Sequence, residues 1–450
     1  MSEIINKVDD LLAWLKRIDD EALKTSKNSF ISPKIEVRES KDSFRGLYAV
    51  DQINRREKLI RIPPSYLLNK ITAICHITKF NEEVKLKETH FTSITVPQTD
   101  PDEFTKLYSK FSLSMLLALS SFQLLSLFIC IEKQRGQRSF WHPFFGTLPE
   151  MSDFRLLPLY WEVLKVEKYQ NLLSLLPGPV RTQANKVHER FLSDYRTVNT
   201  FIANNISDLD LKDGSIIKDK LPVELFLWAW LCINSRCLYM KINESNKADD
   251  SFTMVPYVDF LNHSCDDHCT LKVDGSGFQV FTGSGYSPNE QLFLSYGPHS
   301  NEFLLCEYGF ILSENKWNFL DISGYIISRF TPNQIEFLKE VGYYDEYTLN
   351  LASGASFRTE VALAVLQESF PQKSRNINAL INGYSDGKVY QSGSNSILKK
   401  ILESLIFECE AHINLEYSDT DGSILNERLK MIGRLYYDMK QIANKTLQDL

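Results

Sequence analysis

The sequence has no CxxC pair, although its 450 residues include eight cysteines. A structural zinc site needs four ligands, with near pairs about two to four residues apart. Several of the cysteines lie inside apolar runs, as in "LFICIE" and "WLCINS". This distribution predicts buried thiols in a reducing compartment and argues against a disulfide-stapled secreted domain. The amino-terminal "MSEIINKVDDLLAWLK" carries charges where a secretory signal needs an apolar stretch.

Several catalytic signatures are also missing. The chain has no GxSxG motif, no GxGxxG motif and no Walker lysine, which argues against a nucleophilic serine and against a phosphate-binding loop. The glycines of "GSGFQVFTGSG" instead predict a hairpin that turns at Gly275-Ser276-Gly277. The adjacent carboxylates Asp266 and Asp267 are interpreted as a solvated pair.

Positive charge is not in excess, since the net charge is −7. A non-specific nucleic-acid binder needs clustered Lys and Arg, so direct binding of nucleic acid is not expected. The acidic balance is compatible with a basic protein partner. The composition, 43% hydrophobic and 24% charged, is that of a chain that can bury a sizeable core.

One segment, residues 111–131, carries no charge over 21 residues. A transmembrane helix needs about 20 apolar residues, so the length alone would allow a membrane span. Five serines and one glutamine interrupt this run, however, and they fall mostly on one side of a helix. We therefore predict a buried core helix and no membrane partner.

The order of the predicted elements is strands, helices, strands and helices. Such an order indicates an α+β chain in which a helical insertion divides a β-rich unit, followed by a helical carboxyl-terminal region. The main predicted elements are an amino-terminal helix within 1–24, strands within 34–62 that end at Pro63-Pro64, a loop at 136–150, helices at 177–201 and 221–241, strands within 252–296, and a short helix and turn at 301–312.

The stretch "VPYVDFLNHSCDDHC" (255–269) allows two interpretations. Its second half contains Cys265 and Cys269, which fit one half of a zinc site, but no second pair occurs elsewhere in the chain. Zinc therefore remains the weaker alternative, and "CDDHC" is predicted to be a polar turn. Its first half places Asp259, Asn262 and His263 after the apolar start of a strand.

Other polar and aromatic residues also lie near predicted strand or helix ends. Gly46 in "SFRGLYA" indicates a sharp turn or a close approach of the backbone. Arg236 in "INSR" ends an apolar helix, where a surface position of its charged tip is an equal alternative. Tyr296 in "LFLSYG" and Tyr308 in "CEYGF" stand beside glycines, although such tyrosines are commonly core residues. Each signal is weak when taken alone.

Together and in this order, the motifs "RGLYA", "SFWHPFFGTLP", "NSR", "VPYVDFLNHS" and "EQLFLSYGPHSNEFLLCEYGF" resemble the SET-domain protein methyltransferases of the Rubisco large-subunit methyltransferase type. The resemblance implies a SET domain at 25–320 with a helical insertion at about 85–225. It also implies a helical substrate-binding domain at 325–450. The segments "NHS" and "YGF" would lie side by side in a knot-like crossing, which is rare in proteins.

The resemblance further implies S-adenosylmethionine as the cofactor. Main-chain atoms near the "RGL" motif would contact its methionine part, and a guanidinium suits its planar carboxylate. The "NH" pair would bind the amino end and the adenine, partly through main-chain atoms. The cofactor-binding residues expected in this way are Arg45, Gly46, Leu47, Arg236, Asn262 and His263.

By the same resemblance, Tyr308 would be the catalytic residue. Asp259, Tyr296, Trp317 and Phe319 would line the channel for the substrate lysine. Methyl transfer to an amine needs a neutral lysine, a fixed approach and a dry channel. An apolar aromatic channel lowers the lysine pKa by desolvation, so neither a strong base nor a metal is required.

The zinc-binding cysteine clusters of chromatin-type SET proteins are missing here, which favours a non-histone protein substrate. We expect a ribosomal protein or a translation elongation factor, a monomeric enzyme, and a location in the cytoplasm with the nucleus as a second compartment. Two alternatives remain open at this point. One is a protein-histidine methyltransferase of the same fold, against which the presence of Tyr308 argues; the other is a SET-like binding module without catalysis.

Overall fold

The described part of the chain divides into two compact units. The computed structural model describes residues 3–16, 28–39, 45–81, 94–97, 100–165, 172–206, 220–239, 252–266, 268–415 and 423–450. The first unit comprises Met1–Phe154 and Val187–Gly297, and the second comprises Arg155–Lys186 and Pro298–Leu450.

The first unit contains three small sheets. Two have four strands, in the orders β1-β4-β10-β9 and β2-β3-β11-β8, and one has three, in the order β5-β7-β6. All pairs are antiparallel except β8 with β11, which run parallel. The strands are β1 (Phe30–Ile31), β2 (Ile35–Arg38), β3 (Gly46–Ala49), β4 (Lys58–Ile62), β5 (Leu68–Asn69), β6 (Cys237–Tyr239), β7 (Phe252–Met254), β8 (Asn262–His263), β9 (Thr270–Asp274), β10 (Gly277–Phe281) and β11 (Gln291–Leu294).

Local sequence signals account for several of these boundaries. β4 ends at Ile62, directly before the predicted stop at Pro63-Pro64, because proline cannot donate to a sheet ladder. β9 and β10 form the predicted hairpin, in which Gly277 has a φ of 106° that favours glycine. Within that turn the Ser276 N–H donates to Asp274 Oδ1 at 2.8 Å.

The helices that precede and divide the sheets are α1 (Glu3–Leu15), α2 (Lys70–Thr78), α3 (Glu103–Tyr108), α4 (Leu113–Ala118), α5 (Ser121–Arg135), α6 (His142–Thr147), α7 (Pro158–Leu164), α8 (Leu172–Leu175), α9 (Gly178–Ile206) and α10 (Val223–Arg236). α1 lies within the predicted amino-terminal helix, whose residues 17–24 fall outside the described residues. α7, α8 and the start of α9 belong to the second unit.

The uncharged run at 111–131 forms two helices, so the prediction of a single helix is wrong. Ser120 caps α5, because its side chain accepts from the Gln123 N–H and Gln123 bonds back to the Ser120 N–H. The burial prediction is correct for α5, in which Leu124, Leu127 and Phe128 are fully buried. Among the described helices, none combines the length and the apolar character that a membrane span requires.

Two further boundaries differ from the sequence prediction. The predicted loop at 136–150 contains the short helix α6, which Pro143 starts because its missing N–H is not needed in the first turn. The predicted helix at 221–241 ends at Arg236, and the chain continues directly into β6. This early end places Arg236 at a helix-to-strand junction rather than within a helix.

The second unit is mostly helical after Pro298, as predicted. Its helices there are α11 (Asn301–Tyr308), α12 (Ser323–Ile327), α13 (Pro332–Glu340), α14 (Phe357–Val365), α15 (Arg375–Ile381), α16 (Gln391–Glu410) and α17 (Ser423–Asp449). It also contains a small antiparallel sheet, which was not predicted, of β12 (Phe319–Asp321), β13 (Thr348–Asn350) and β14 (Gly354–Ala355). One of its core clusters is formed by Phe337, Leu338, Val361, Ala364, Val365, Ile377, Leu380 and Tyr390.

Candidate active site

One sheet of the first unit, β2-β3-β11-β8, brings together several of the predicted cofactor-binding residues, and we call it the site sheet. Leu47 in β3 lies opposite Leu292 in β11, and His263 in β8 lies opposite Leu294. β8 is an edge strand of this sheet within the described residues. An edge strand presents main-chain N–H and C=O groups on its outer side, where a ligand can bind them.

Asn262 connects β8 to the segment before β3. Its Nδ2 donates to the main-chain oxygen of Arg45 at 2.9 Å, across 217 residues of sequence. The Arg45 side chain makes different contacts from its main chain. Its Nη1 donates to the Thr147 main-chain oxygen at 2.8 Å. Its guanidinium lies 5.7 Å from the centre of the Phe260 ring. The "FFGT" segment at the end of α6 therefore contacts Arg45, a role that the sequence alone does not predict for this loop.

Asp259 and Arg236 form a buried ion pair. Arg236 Nη1 donates to Asp259 Oδ2 at 3.0 Å and to the Asp259 main-chain oxygen at 2.9 Å. The Asp259 side chain is 1% exposed, and that of Arg236 is 19% exposed. Burial raises the pKa of Asp259 above its ordinary value, and the positive charges of Arg236 and Arg45 oppose that rise. Burial and the neighbouring charge of Arg236 lower the pKa of Arg45.

His263 packs against Tyr296. The Tyr296 N–H donates to His263 Nδ1 at 3.1 Å, and the two rings stack with centroids 5.2 Å apart. Because Nδ1 accepts this bond, the proton of the neutral imidazole belongs on Nε2. The Tyr296 hydroxyl donates to the Leu261 oxygen at 2.7 Å, which fixes the ring beside β8.

Gly46 lies close to two polar side chains. A Cβ added at Gly46 would lie 2.3 Å from Gln291 Nε2 and 3.0 Å from Asn262 Nδ2. Gln291 Oε1 accepts from the Tyr48 hydroxyl at 3.2 Å, whereas its Nε2 is buried without a hydrogen-bond partner among the described residues. Gln291 lies in the motif "EQLFLSYG", but the sequence predicts no role for it, because a polar residue in a strand carries no signal of what it faces.

The remaining predicted site residues lie in the second unit. Tyr308 is the last residue of α11, where Gly309, at a φ of 81°, ends the helix by donating to the oxygens of Leu304 and Leu305. The Tyr308 ring lies near Phe303 and Phe310, with centroids 6.4 and 6.2 Å away. The helix and turn predicted at 301–312 are confirmed by this geometry.

Trp317 and Phe319 are surface residues of the second unit. Trp317 is 42% exposed and Phe319 is 38% exposed. Lys316 extends over the Trp317 ring, with its Nζ 5.6 Å from the centroid. Phe319, at the start of β12, also lines a small pocket of about 30 Å³ together with Glu302 and Asp438.

A network of buried amides fixes the start of α11. Asn301 Nδ2 donates to Asp438 Oδ2 at 2.8 Å and to the Leu312 oxygen at 2.9 Å. Asn301 Oδ1 accepts from the Leu312 N–H at 3.0 Å and from Asn315 Nδ2 at 3.1 Å. Asn318 joins the network by accepting from the Asn301 N–H and donating to Asp438. The motif asparagine thus connects the segment that carries Tyr308 to the long helix α17.

The cysteine-rich stretch after β8 does not form a metal centre in the described part of the chain. Cys265 and Asp266 lie in a bend, and Asp267 falls outside the described residues. Cys269 is not part of a solvated turn, because it is 1% exposed and its N–H donates to the Phe293 oxygen at 2.7 Å. Within the described residues, no three His, Cys, Asp or Glu side chains lie close enough to hold one metal ion.

The buried state predicted for the cysteines is correct for six of the eight. Desolvation raises the pKa of Cys75, Cys232 and Cys409 to about 12. Such thiols remain protonated near neutral pH, so they are poor nucleophiles.

A family model for the SET domain matches residues 45–297, which is more than half of the chain. The chain belongs to the SET-domain family. A second model, described as the Ribosomal lysine N-methyltransferase 2 C-terminal domain, matches residues 318–449. The SET match contains the site sheet, Arg236 and Asp259, and the second match contains the helices α12 to α17.

Two fungal relatives of this SET protein align over nearly its whole length. Ribosomal lysine N-methyltransferase 2 of Saccharomyces cerevisiae is 32% identical over 490 aligned residues, which cover 99% of each chain. Ribosomal lysine N-methyltransferase set11 of Schizosaccharomyces pombe is 27% identical over 425 residues, which cover 92% of each chain.

Solved structures are similar to this SET protein in fold. The SET domain of LSMT, crystallised with lysine and AdoHcy, aligns with a TM-score of 0.60 at 14% identity and covers 100% of this chain and 91% of that chain. Rubisco LSMT bound to sinefungin and monomethyllysine aligns with a TM-score of 0.57 and covers 92% of its own chain. The predicted α+β SET-domain fold with a helical carboxyl-terminal region is confirmed.

Proposed function

We propose that this protein is an S-adenosylmethionine-dependent protein-lysine N-methyltransferase whose substrate is a ribosomal protein. The observation that carries the proposal is the alignment, over 99% of the chain, with a protein named Ribosomal lysine N-methyltransferase 2. The match of residues 318–449 to the model described as the Ribosomal lysine N-methyltransferase 2 C-terminal domain also supports it.

The buried polar atoms of the first unit fit the amino-acid part of S-adenosylmethionine. Arg236 Nε and Gln291 Nε2 are donors without a partner among the described residues, and Asp259 Oδ1 is an acceptor without one. Buried polar groups are rarely left unpaired unless a ligand or water pairs with them. The two donors match the carboxylate of the cofactor.

The proposed cofactor contacts follow from this arrangement. Arg236 would bind the carboxylate, and the main chain of Arg45, Gly46 and Leu47 would contact the methionine part. The outer edge of β8, at Asn262 and His263, would bind the amino end and the adenine. When bound, S-adenosylmethionine supplies an activated methyl group on a positively charged sulfur.

The residues of the chain would prepare the lysine amine for the transfer. The Tyr308 hydroxyl would orient the amine, and Tyr296 would line the channel with Asp259 as part of its wall. Trp317 and Phe319, being more than a third exposed, would serve at the entrance of the channel. An aromatic channel that excludes water lowers the lysine pKa and so increases the share of neutral amine. In this proposal the segments of Asn262 and Tyr308 cross in the knot-like manner of the family.

The proposal extends to organisation and partners. The SET domain would span 25–320 with a helical insertion at about 85–225, preceded by a helix within 1–24, and the substrate-binding domain would span 325–450. The enzyme would be a monomer in the cytoplasm, with the nucleus as a second compartment, and would bind neither nucleic acid directly nor membranes. Its net charge of −7 suits a basic substrate such as a ribosomal protein.

The decisive experiment is methylation of a whole lysate, ribosomes included, from cells that lack this protein. Purified enzyme and tritiated S-adenosylmethionine are added, the labelled protein is identified by mass spectrometry, and the labelled residue is identified after hydrolysis. We expect methyllysine in one ribosomal protein. Methylhistidine would establish the alternative modification, and label in an elongation factor would change the substrate class. A protein that binds no S-adenosylmethionine in calorimetry would be a binding module instead.

A further inference from the structure

The Arg236–Asp259 pair has a geometry that a simple charge pair does not require. Both bonds to Asp259 use Nη1 of Arg236, one to the carboxylate and one to the main-chain oxygen of the same residue. Nη1 carries two hydrogens, so these two acceptors occupy it fully. Two hydrogen bonds from a single nitrogen, Nη1, to a single residue therefore fix the orientation of the guanidinium plane.

The opposite edge of the same guanidinium carries a donor that makes no hydrogen bond among the described residues. Nε of Arg236 is buried and has no hydrogen-bond partner among the described residues. A buried N–H of a charged group that lacks an acceptor costs free energy, and a ligand carboxylate that accepts from it recovers that cost. Because Nη1 is already occupied, the edge of the guanidinium that includes Nε is the edge that can form a bidentate bond with a carboxylate.

From these two observations we infer that Asp259 is a positioning residue: it holds Arg236 so that the Nε edge of the guanidinium receives the carboxylate of the cofactor. This role rests on the proposed function, and for the Asp259 side chain it takes the place of a position in the wall of the lysine channel. The Asp259 side chain is only 1% exposed, which leaves it little surface to present to a substrate. Arginine loses less conformational freedom on binding when its planar fork is already fixed.

If Asp259 acted only as a counter-charge, its removal would strengthen the binding of the ligand carboxylate instead of weakening it. Arg45 and Arg236 both act on Asp259 electrostatically, so the three side chains together carry one net positive charge when all are ionised. Removing the carboxylate would leave two positive charges near the site and strengthen their attraction to the carboxylate of the ligand. Loss of positioning would weaken that binding, so the direction of the change separates the two roles.

The test is calorimetric binding of two ligands, S-adenosylhomocysteine, which has the amino-acid carboxylate, and 5′-methylthioadenosine, which lacks it. We expect Asp259→Ala to weaken S-adenosylhomocysteine binding by roughly 10- to 100-fold and to leave methylthioadenosine binding unchanged. Asp259→Asn keeps an acceptor oxygen for Nη1 and should weaken binding less. In the Arg236→Ala background, Asp259→Ala should have no further effect, because the two residues act as one unit.

A kinetic measurement separates the positioning role from the channel role. In the Asp259→Asn variant the KM for the cofactor should rise, while kcat and the KM for the ribosomal substrate should stay near the wild-type values. Asp102→Ala is the matched control, since Asp102 forms another buried pair, with Arg135 at 2.6 Å, in the same unit. It should lower the thermal stability without changing the affinity for either ligand.

Three results would overturn the inference. These are tighter binding of S-adenosylhomocysteine by the Asp259→Ala variant, equal weakening of both ligands, and a raised KM for the ribosomal substrate alone. If Asp259→Ala does not fold, as judged by circular dichroism, Asp259→Asn decides the matter. Failure of the wild-type protein to bind S-adenosylhomocysteine would overturn the proposed function itself, whereas normal wild-type binding with the wrong variant pattern would overturn only the role of Asp259.

Discussion

A group of buried polar side chains in the first unit and another in the second differ in how completely they are hydrogen-bonded. In the first unit, Arg236, Asp259 and Gln291 each keep one buried polar atom without a partner among the described residues. In the second unit, Asn301 makes four side-chain hydrogen bonds, and Asp438 accepts from two amides and from Arg434. Buried polar atoms without partners are typical of a ligand-binding site, and a fully hydrogen-bonded network is typical of a structural core.

This difference separates two tasks that one reaction requires. The unpaired atoms of the first unit fit recognition of a small charged molecule. The saturated network of the second unit holds the amino-terminal end of α11, the helix that ends at Tyr308. Variants in the first unit should therefore change ligand affinity, and variants in the second should change turnover or stability.

The largest effect is expected from Tyr308→Phe. Loss of the hydroxyl should reduce kcat by about 100-fold or more, because a misaligned amine loses most of the advantage of a fixed approach. The affinity for S-adenosylhomocysteine, measured by calorimetry, should stay the same. Tyr384→Phe is the control, since Tyr384 lies in the same unit and is 86% exposed. Equal turnover in both variants would remove Tyr308 from catalysis.

Asn301→Ala should destabilise the protein by about 2–3 kcal/mol, because it leaves the buried partners at Leu312, Asn315 and Asp438 incompletely bonded. Denaturant unfolding measures this change. Asn378→Ala, at an exposed position of α15, should change the free energy of unfolding by less than about 0.5 kcal/mol. A stable Asn301→Ala variant would show that the network is not the scaffold of this unit.

Gly46→Ala should weaken S-adenosylhomocysteine binding by roughly tenfold with little change in thermal stability. The new Cβ would lie 2.3 Å from Gln291 Nε2 and would displace an amide from the buried wall of the site. Gly146→Ala is matched to it, because a Cβ there meets no atom within 4 Å. Unchanged affinity of the Gly46 variant would place the ligand elsewhere than beside β3.

The smallest effect concerns Glu302, in the first turn of α11. Burial and the neighbouring Asp321 raise its pKa to about 7. The folded protein then holds this proton more tightly than the unfolded chain, so stability falls as pH rises from about 4.5 to above 7. Glu302→Gln removes this penalty and should be more stable by roughly 1 kcal/mol at pH 8 and unchanged at pH 4; the gain is smaller than the full pKa shift would give, because the residue is only half-buried. If the stability of the two proteins changed with pH in the same way, the raised pKa of Glu302 would be contradicted.

Local signals predicted much of the fold. The hairpin at Gly275-Ser276-Gly277, the end of β4 before Pro63 and the short helix after Ser300 depend on residues that are neighbours in sequence. The errors arose where a local feature overrode the hydrophobic pattern. Ser120 divided the run at 111–131, and the helix at 221–241 ended at Arg236 because the following residues pair with β7.

The residues of the candidate site were named from motif order, but their interactions could not be. Asn262 bonds to Arg45 across 217 residues, and Asn301 bonds to Asp438 across 137 residues. No pattern in the sequence links such positions, since hydrogen bonds between distant residues depend on the packing of the whole chain. Gln291 shows the same limit, because its role emerges only from the nearness of Gly46.

The order of elements in the sequence indicated the α+β class, and the order of its motifs indicated the family and, through that resemblance, the polar and aromatic residues proposed for the candidate site. The sequence also determined the negative charge of the chain, which suits a basic partner. Only the tertiary structure decided that Asp259 pairs with Arg236, that Gln291 faces Gly46, and that Asn301 connects α11 to α17. These contacts require several distant segments to pack in one arrangement, and that packing is what leaves some buried polar atoms paired and others unpaired.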